Sequence, residues 1–243
     1  LSFANNSQDG SAGFAYLPSP SLIASDIFID KENYGVTKTA VASPQEGTYA
    51  ALTWIHEIGH AMGLSHGHSN QNGFGTLDYA KDSHEYSLMT YRCYVGKNLN
   101  TGHTTEQGSF SSTLMQSDVA ALQYMYGANY GTNSGDTTYT WSTSTGVMSI
   151  NGVSESSQYA NKIFMTLWDG GGTDTYDLSN YSSNLTIDLR PGEGSTFSTD
   201  QLAWLHSNGS QIASGNVYNA LLYNNNSASL IENAVGGSGD DLI

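Results

Sequence analysis

Residues 56–66 of the chain read HEIGHAMGLSH, and the rest of the sequence is interpreted outward from this stretch. It fits the pattern H-E-x-x-H-x-x-G-x-x-H, in which two histidines four residues apart lie one turn apart on the same face of a helix. Two imidazoles held in this way, here His56 and His60, can bind one tetrahedral Zn²⁺. A third ligand, His66, leaves a fourth position for water, which is typical of a catalytic zinc. Glu57 lies beside the first ligand and is the expected general base for that water.

The residues around the motif predict the bounds of its helix. The run before the motif is mostly apolar, so we predict a helix from about Thr48 to Met62. Gly63 can adopt the backbone turn that ends the helix and lets the third histidine return to the metal. The alternative is a buried helix whose histidines are satisfied by hydrogen bonds alone, but the fixed positions of the motif favour a zinc site.

A second motif, SLMTY at residues 87–91, has the pattern of the Met-turn that follows the long histidine motif. We expect Met89 to form an apolar floor beneath the zinc ligands. We expect Tyr91 to place its phenol near the metal, where it can donate a hydrogen bond to a developing oxyanion. Without the histidine motif, Met89 would be interpreted as a core residue and Tyr91 as a half-buried aromatic.

Three further residues near these motifs have simpler interpretations. His68 and His84 fall in an irregular Gly-, Asn- and Ser-containing segment, residues 65–87, and we expect solvated loop histidines rather than ligands. Cys93 is the single cysteine, which excludes an internal disulfide. We expect it to be a small buried apolar residue, and a regulatory thiol that ligates zinc is the alternative.

The composition limits the class of protein. The 243 residues include 7 Lys+Arg and 22 Asp+Glu, for a net charge of −15. This balance argues against nucleic acid and membranes as partners and suits a soluble exported protein that binds cations. No stretch is apolar enough to span a membrane, and no amino-terminal signal peptide is visible. The 27 glycines beside four prolines favour β structure with many tight turns.

Further elements are predicted on both sides of the motifs. Residues 13–17 and 25–30 are expected to be strands. Residues 117–127 are expected to form a second helix, with Ser117 as its N-cap and Gly127 as its stop. The apolar stripe of this helix, expected in the core, consists of Val119, Leu122 and Tyr126.

The composition changes from about Asn129, where short Thr-, Ser- and Tyr-rich stretches alternate with Gly, Asn and Asp turns. We therefore place a domain boundary near Gly131. In residues 168–177, WDGGGTDTYD, glycines lie between the carboxylates. This pattern suits Ca²⁺, because the ion takes six to eight oxygen ligands, including backbone carbonyls. A polar β-turn is the alternative.

The chain ends GGSGDDLI, residues 236–243, which fits the glycine-rich repeat of a parallel β-roll. One such repeat cannot bury its own apolar face, so we expect further repeats beyond this end.

Together these motifs resemble the serralysins, secreted bacterial metzincins with a carboxy-terminal calcium-binding β-roll. Segments 12–18, 126–129 and 231–237 add to the resemblance, which covers essentially the whole chain. It implies an α+β fold: a metzincin catalytic domain in residues 1–130, with a mixed sheet over the zinc helix, followed by an all-β, sandwich-like calcium-binding roll in residues 131–243. It also implies truncation at both ends: the family has helices and a strand before the region that matches Leu1, and this chain stops where the β-roll begins.

The resemblance assigns roles to individual residues. His56, His60 and His66 would bind zinc, Glu57 would be the general base, and Tyr91 would be a zinc ligand at rest that swings to the oxyanion during turnover. One calcium site would use the carbonyls of Asn133, Gly135 and Thr137 with Asp169, Gly171 and Asp174. Another would use Gly172, Asp174, Leu230 and Glu232. Half of a β-roll site would be formed by Gly237, Gly239 and Asp241.

The implied function is that of a secreted, extracellular zinc endopeptidase that hydrolyses peptide bonds in proteins and is exported by type I secretion. The expected partner is an extended polypeptide that pairs with the strand near Gly13–Leu17, and a monomer is expected. One alternative is a catalytically incompetent fragment or a calcium-stabilised binding protein that retains a zinc site. Another is an astacin-like protease, disfavoured by the single cysteine and the terminal glycine repeat. The chain departs from the family at Gly67, where most members have proline.

Overall fold

The computed structural model describes residues 1–8, 10–30, 43–70, 73, 75–155 and 157–243. Within these ranges two α-helices and eleven strands are found. The helices are α1 (Tyr49–Ala61) and α2 (Gln116–Tyr126). The strands are β1 (Ser2–Asn6), β2 (Gly13–Ala15), β3 (Asp26–Asp30), β4 (Thr138–Trp141), β5 (Met148–Ile150), β6 (Val153–Ser154), β7 (Met165–Leu167), β8 (Thr175–Asp177), β9 (Gly194–Ser195), β10 (Val217–Asn219) and β11 (Asn233–Val235). This composition agrees with the expected α+β class. No helix in the described part combines the length and apolar character needed to cross a bilayer.

The first sheet lies against α1 and has the strand order β1–β3–β2. The central strand β3 pairs in parallel with β1 and antiparallel with β2. Ile27 and Ile29 of β3 are buried and pack with Ala61 at the end of α1. The strands predicted at residues 13–17 and 25–30 are confirmed as β2 and β3, although β2 ends at Ala15. The sequence interpretation missed β1.

Helix α1 is fixed at both ends by local contacts. The hydroxyl of Thr48 accepts a hydrogen bond from the Ala51 N–H (3.2 Å), which satisfies a free donor of the first turn. At the other end Gly63 has φ +103°, a conformation that glycine adopts without a Cβ penalty, and the Leu64 N–H returns to the Gly59 carbonyl (2.9 Å). The predicted helix from Thr48 to Met62 is confirmed, with these two residues as its caps.

Helix α2 has its N-cap two residues earlier than predicted. Its N-cap is Met115 and not Ser117, because the carboxylate of Asp118 reaches back to the Met115 N–H (3.1 Å). The predicted stop at Gly127 is confirmed.

The buried face of α2 is polar, so the prediction of an apolar core stripe is wrong. Tyr126 is 61% exposed, and its hydroxyl donates to the Met62 carbonyl (2.8 Å). The residues of α2 that are fully buried are Gln116, Asp118 and Gln123.

The second half of the chain forms two further sheets. The larger has the order β11–β8–β4–β5–β6, and the smaller has the order β7–β10–β9. In the larger sheet β4, β8 and β11 are parallel and in register, so Thr138, Thr175 and Asn233 lie side by side. The segments that precede these three strands therefore meet at one edge of the sheet, and they carry most of the predicted calcium ligands.

One buried apolar cluster contains residues from both sides of the predicted domain boundary. Leu52 of α1 and Phe110 belong to it together with Phe164 and Tyr218 from the second half. A separate cluster around Trp141 lies wholly in the second half. The boundary near Gly131 stays a prediction, but the shared cluster indicates that the two halves stabilise each other.

We expect the shared cluster to make unfolding of the two halves cooperative. Phe164 is 2% exposed and its ring packs against Tyr218 at 6.2 Å between centroids. Phe164→Ala should lower the free energy of unfolding by about 3–5 kcal/mol, since it removes a large buried side chain and leaves a cavity. Denaturant unfolding followed by fluorescence and far-UV circular dichroism should show one shifted transition. The exposed Tyr124→Ala is the control, and two separate transitions would contradict the expectation.

Candidate metal centre

The three motif histidines converge at the carboxyl end of α1. His56 and His60 lie on one face of the helix, and the turn at Gly63 brings His66 back toward them. The Nε2 atom of His66 lies 3.3 Å from Nε2 of His56 and 3.0 Å from Nε2 of His60. Ligand nitrogens about 2.05 Å from a tetrahedral zinc are about 3.3 Å apart. The structure therefore brings these residues together at the spacing of three ligands to one ion, and their assignment to zinc stays a prediction.

The orientation of two of these rings is fixed by backbone carbonyls. Nδ1 of His56 lies 2.8 Å from the Leu88 carbonyl, and Nδ1 of His60 lies 2.7 Å from the Leu64 carbonyl. Because a carbonyl can only accept, Nδ1 carries the proton in each ring and Nε2 keeps its lone pair. Both lone pairs are thereby available for a metal, as in the carbonyl-oriented histidines of metal sites.

Burial keeps these imidazoles neutral. It lowers the pKa of His56 well below the usual value, with a further decrease from the His60 charge. Burial also lowers the pKa of His66 to about 4, and the charges of His60 and His68 add to this effect. Neutral imidazoles are the form that binds a metal, so no proton has to be displaced from these groups near pH 7.

Glu57 places a carboxyl group beside the histidines without a fixed partner. The side chain is buried, and its Oε2 atom has no hydrogen bond within the described part of the chain. Burial raises the pKa of Glu57 to about 7. Gly13 of β2 allows the strand to approach closely, since a Cβ at that position would lie 3.0 Å from Cγ of Glu57. A carboxyl group with these properties can take up a proton and release it again.

The Met-turn lies directly under α1. Met89 is 2% exposed, and a Cβ added at Gly59 would lie 2.6 Å from its Sδ atom, so the thioether packs against the helix between the first two histidines. This position agrees with the expected apolar floor. The carbonyl that orients His56 belongs to Leu88, the residue just before Met89.

Asp118 of α2 holds this turn in place, and the sequence interpretation missed it. Its carboxylate accepts hydrogen bonds from the Ser87 hydroxyl (2.6 Å), the Leu88 N–H (2.7 Å) and the Met115 N–H (3.1 Å). Burial raises the pKa of Asp118 to about 6, although these three hydrogen bonds lower the pKa. The sequence signal was limited to an acidic residue in the first turn of a helix, which ordinarily indicates a cap and no more.

Tyr91 lies against the histidines with its ring partly exposed. The ring centroid is 4.6 Å from that of His66 and 5.8 Å from that of His56. Burial raises the pKa of Tyr91, and the Glu57 charge raises it further, so the phenol keeps its proton and can donate it in a hydrogen bond. Its backbone N–H donates to Nδ1 of His68 (3.1 Å).

The expectation of two solvated loop histidines is wrong. His68 is half-buried, and its ring lies 4.6 Å from the Tyr91 ring and 5.1 Å from the His66 ring. His84 is only 1% exposed, and its Nε2 atom lies 3.1 Å from the Thr90 carbonyl. Nothing in the composition of this segment distinguished these histidines from solvated ones. The prediction that Cys93 is buried is confirmed.

A cavity of about 260 Å³ opens beside the histidines and Glu57. Its walls come from residues 10–13 leading into β2, from α1, from Tyr91 and from His103. In the described sheet β2 is an edge strand, so its outer backbone groups face away from β3. The cavity is thus lined by a motif histidine, by the proton acceptor Glu57 and by the strand that forms one edge of the described sheet.

The predicted calcium ligands lie in the segments that precede β4, β8 and β11. Before β4, the carbonyls of Asn133 and Gly135 both accept from the Thr137 hydroxyl, at 3.2 and 2.7 Å, so they point toward a common position. Before β8, a Cβ at Gly172 would lie 2.5 Å from the Gly135 carbonyl oxygen, so the two turns are in direct contact. Gly171 also has a positive φ, +146°.

Three carboxylates meet between these segments. Asp174 is fully buried; its Oδ1 accepts from the Thr137 N–H (2.8 Å), whereas its Oδ2 has no hydrogen bond in the described residues. Its N–H donates to Glu232, just before β11 (2.8 Å). Asp169 is also buried and accepts from the Tyr139 hydroxyl (2.6 Å). Burial raises the pKa of Asp174 to about 6, and the charges of Asp169 and Glu232 oppose its ionisation further.

The predicted half-site at the end of the chain lies elsewhere in the same half. The Asp241 carboxylate accepts from the Leu185 N–H (2.9 Å). Gly237 and Gly239 lie against the backbone carbonyls of Tyr181 and Ser183, too close for a Cβ at either glycine. The terminal segment is thus packed on the turn at residues 181–185.

Leu230, the remaining predicted ligand of the site with Glu232, lies at the start of the short segment that leads to Glu232 and β11.

Comparison with known proteins gives consistent matches. The profile of the family described as "Peptidase M10 serralysin C terminal" matches residues 128–243. The chain is 35% identical over 252 residues to "Metallopeptidase AprA" of Pseudomonas marginalis, covering 100% of the chain and 47% of that protein. It is 35% identical to "Serralysin" of Proteus mirabilis, covering 83% and 36%, and 33% identical to "Serralysin A" of Dickeya chrysanthemi, covering 96% and 43%. The chain therefore spans about half the length of the curated relatives it matches.

The hydrogen bonds of Asp118 predict a large effect of its removal. Asp118→Ala leaves two backbone N–H groups and a buried hydroxyl without an acceptor, so it should lower the free energy of unfolding of the metal-free protein by at least about 2 kcal/mol. Zinc affinity should fall about 10–100-fold, because Leu88 no longer holds His56 in place. Denaturant unfolding and a competitive zinc titration measure the two effects. Asp200→Ala, on the surface, should change neither; an unchanged zinc affinity in Asp118→Ala would rule out the positioning role.

Proposed function

The chain belongs to the serralysin family, and from that premise we propose that it is a zinc endopeptidase that hydrolyses peptide bonds in proteins. The observation that carries this proposal is the convergence of three Nε2 atoms, 3.0 and 3.3 Å apart, beside the unpartnered carboxyl of Glu57. The neutral rings and their spacing fit zinc. The curated relatives are named as metalloproteases, which supports the same activity.

The proposed chemistry uses the residues around the cavity. Zinc bound by His56, His60 and His66 would supply Lewis acidity and bring the pKa of a bound water toward about 7. Glu57 takes the proton of the attacking water and delivers it to the leaving amine. Its burial favours both transfers, because it brings the pKa of the carboxyl close to neutrality.

Tyr91 completes the proposed site. Its phenol keeps its proton and lies beside the histidines, so it can donate a hydrogen bond to the oxyanion that forms on the scissile carbonyl. The role as a zinc ligand at rest is part of the proposal. His68 accepts from the Tyr91 N–H and thereby orients the backbone of this residue.

The proposed substrate is an extended polypeptide. Strand β2 is at the edge of the described sheet and leads out of the segment that lines the cavity. A substrate that adds a strand at this edge passes along the wall that contains Glu57. Hydrogen bonds to the backbone of β2 are independent of side chains, so they orient the peptide without selecting a sequence.

The proposal includes a calcium-stabilised second half and residues 1–130 as a metzincin catalytic domain. The fit of calcium rests on the orphaned Oδ2 of Asp174 and on the convergence of Asp174, Asp169 and Glu232 with the carbonyls of Asn133 and Gly135. The buried carboxylates of Asp169 and Asp174 and the exposed carboxylate of Glu232 repel one another, and a bound cation offsets this repulsion. We further propose a monomeric protein that acts outside the cell and is exported by a type I system.

Glu57→Gln tests the general base. The variant should bind zinc as the wild type does, because Glu57 is not a ligand, and should lose about 10²–10⁴-fold in kcat, because the amide cannot accept the proton. Casein hydrolysis and elemental analysis for zinc measure the two properties. The exposed Glu155→Gln is the matched control and should leave both unchanged.

The outcomes of this experiment separate the alternatives. Near-normal turnover in Glu57→Gln would exclude the general-base role. A wild type that binds zinc at the motif histidines but cleaves nothing would favour a binding protein that retains a zinc site. A wild type without zinc would contradict the proposal as a whole.

Asp174→Asn tests the calcium site. In the wild type, Ca²⁺ should raise the midpoint of thermal unfolding, since binding to the folded state alone stabilises it by about 2.7 kcal/mol at a hundredfold excess over the dissociation constant. Asp174→Asn should remove most of this gain, whereas Asp200→Asn, on the surface, should keep it. Scanning calorimetry with and without Ca²⁺ measures the midpoint. An equal calcium gain in wild type and Asp174→Asn would argue against this ligand.

A further inference from the structure

A second group of metal-ligating side chains lies next to the motif histidines. His84, Cys93 and His103 each offer one ligand atom, and these atoms all lie within 4.8 Å of one another. Sγ of Cys93 is 3.8 Å from Nδ1 of His103. His84 and Cys93 are fully buried and His103 is half-buried. None of the three belongs to the proposed zinc site at His56, His60 and His66, described above as the motif histidines.

His84 is held in the orientation of a metal ligand. Its Nε2 lies 3.1 Å from the Thr90 carbonyl, so the Nε2–H donates and Nδ1 keeps a lone pair. Its backbone N–H donates to the Arg92 carbonyl (3.0 Å), which fixes the chain at this residue. Nδ1 is buried and has no hydrogen-bond partner among the residues that the structure describes. An acceptor in this situation needs a partner that the protein does not supply.

Cys93 is in a polar environment despite its burial. Its Sγ accepts a hydrogen bond from the Thr104 N–H (3.4 Å) and faces Nδ1 of His103. Hydrogen bonds of this kind favour the thiolate, which is the form that binds metals. Cys93 thus differs from the small apolar residue expected from the sequence.

We propose that His84, Cys93 and His103 form a second metal site, which takes a soft divalent cation such as Zn²⁺. Two imidazoles and a thiolate form a donor set that zinc prefers. The ligand atoms of a tetrahedral zinc complex of this kind are about 3.3–3.6 Å apart. The three ligand atoms here lie within 4.8 Å of one another, so zinc binding would draw them closer together. The Cys93 Sγ to His103 Nδ1 distance of 3.8 Å is already close to the range of such a complex.

This second site shares a wall with the cavity. His103 lines the cavity, and its ring lies 6.3 Å from the Tyr91 ring. A cation bound to His103 therefore fixes the position of this part of the wall. The inference rests on the cluster itself and does not require that the protein is a protease.

Cobalt distinguishes the second site from the motif histidines. Co²⁺ bound by a thiolate gives a sulfur-to-metal charge-transfer band in the near ultraviolet, and the motif histidines supply no sulfur. Titration of the metal-free wild type should develop this band to saturation, and added Zn²⁺ should abolish it by displacing the cobalt. The His56→Ala, His60→Ala double variant should keep the band, whether or not the wild type hydrolyses casein.

Variants of the three ligands complete the test. Cys93→Ser should lose the band, and His84→Asn and His103→Asn should each weaken cobalt binding by more than about tenfold. His206→Asn, a half-buried histidine outside the cluster, is the control and should bind as the wild type does. Far-UV circular dichroism checks that each variant is folded. Absence of the band in the wild type would overturn the proposal irrespective of how the variants fold, and so would unchanged affinity in folded His84→Asn and His103→Asn.

Discussion

The arrangement of the motif histidines depends on the buried carboxylate of Asp118, which reaches His56 through Leu88. Asp118 accepts from the Ser87 hydroxyl and the Leu88 N–H, and the Leu88 carbonyl in turn accepts from Nδ1 of His56. The hydrogen bonds of Asp118 therefore hold the turn at residues 87–91 at its first two residues. The carboxylate is costly to bury, but each of its hydrogen bonds is made to a group that would itself be costly to bury without an acceptor.

The second half of the chain applies a different constraint to its candidate ligands. Strands β4, β8 and β11 are parallel and in register, so the turns before them are stacked at one edge of the sheet. Register fixes which carbonyls and carboxylates face one another, because a slip of one residue would turn every side chain to the other face. Asp174 thereby lies between the turn at Gly135 and the segment at Glu232. The repulsion between Asp174 and Glu232 follows from the strand register, whereas Asp169 and Asp174 are neighbours in one glycine-rich segment.

The sequence predicted best what depends on local spacing. The bounds of α1, the turn at Gly63, the strands β2 and β3 and the convergence of three histidines follow from residues near one another in the chain. It failed where distant residues decide. Asp118 was missed, because two of its partners, Ser87 and Leu88, lie some thirty residues earlier in the chain. His84 was assigned to a solvated loop because nothing nearby in the sequence reveals its contacts with the Thr90 carbonyl and the His103 ring.

The turn at residues 87–91 links the two groups of histidines. Its Leu88 carbonyl accepts from Nδ1 of His56 on one side, and its Thr90 carbonyl accepts from Nε2 of His84 on the other. Each hydrogen bond selects the tautomer that leaves the opposite nitrogen with a lone pair. Both carbonyls belong to one short segment, so a single turn orients a ring in each group. The carboxylate of Asp118 holds this turn at Ser87 and Leu88.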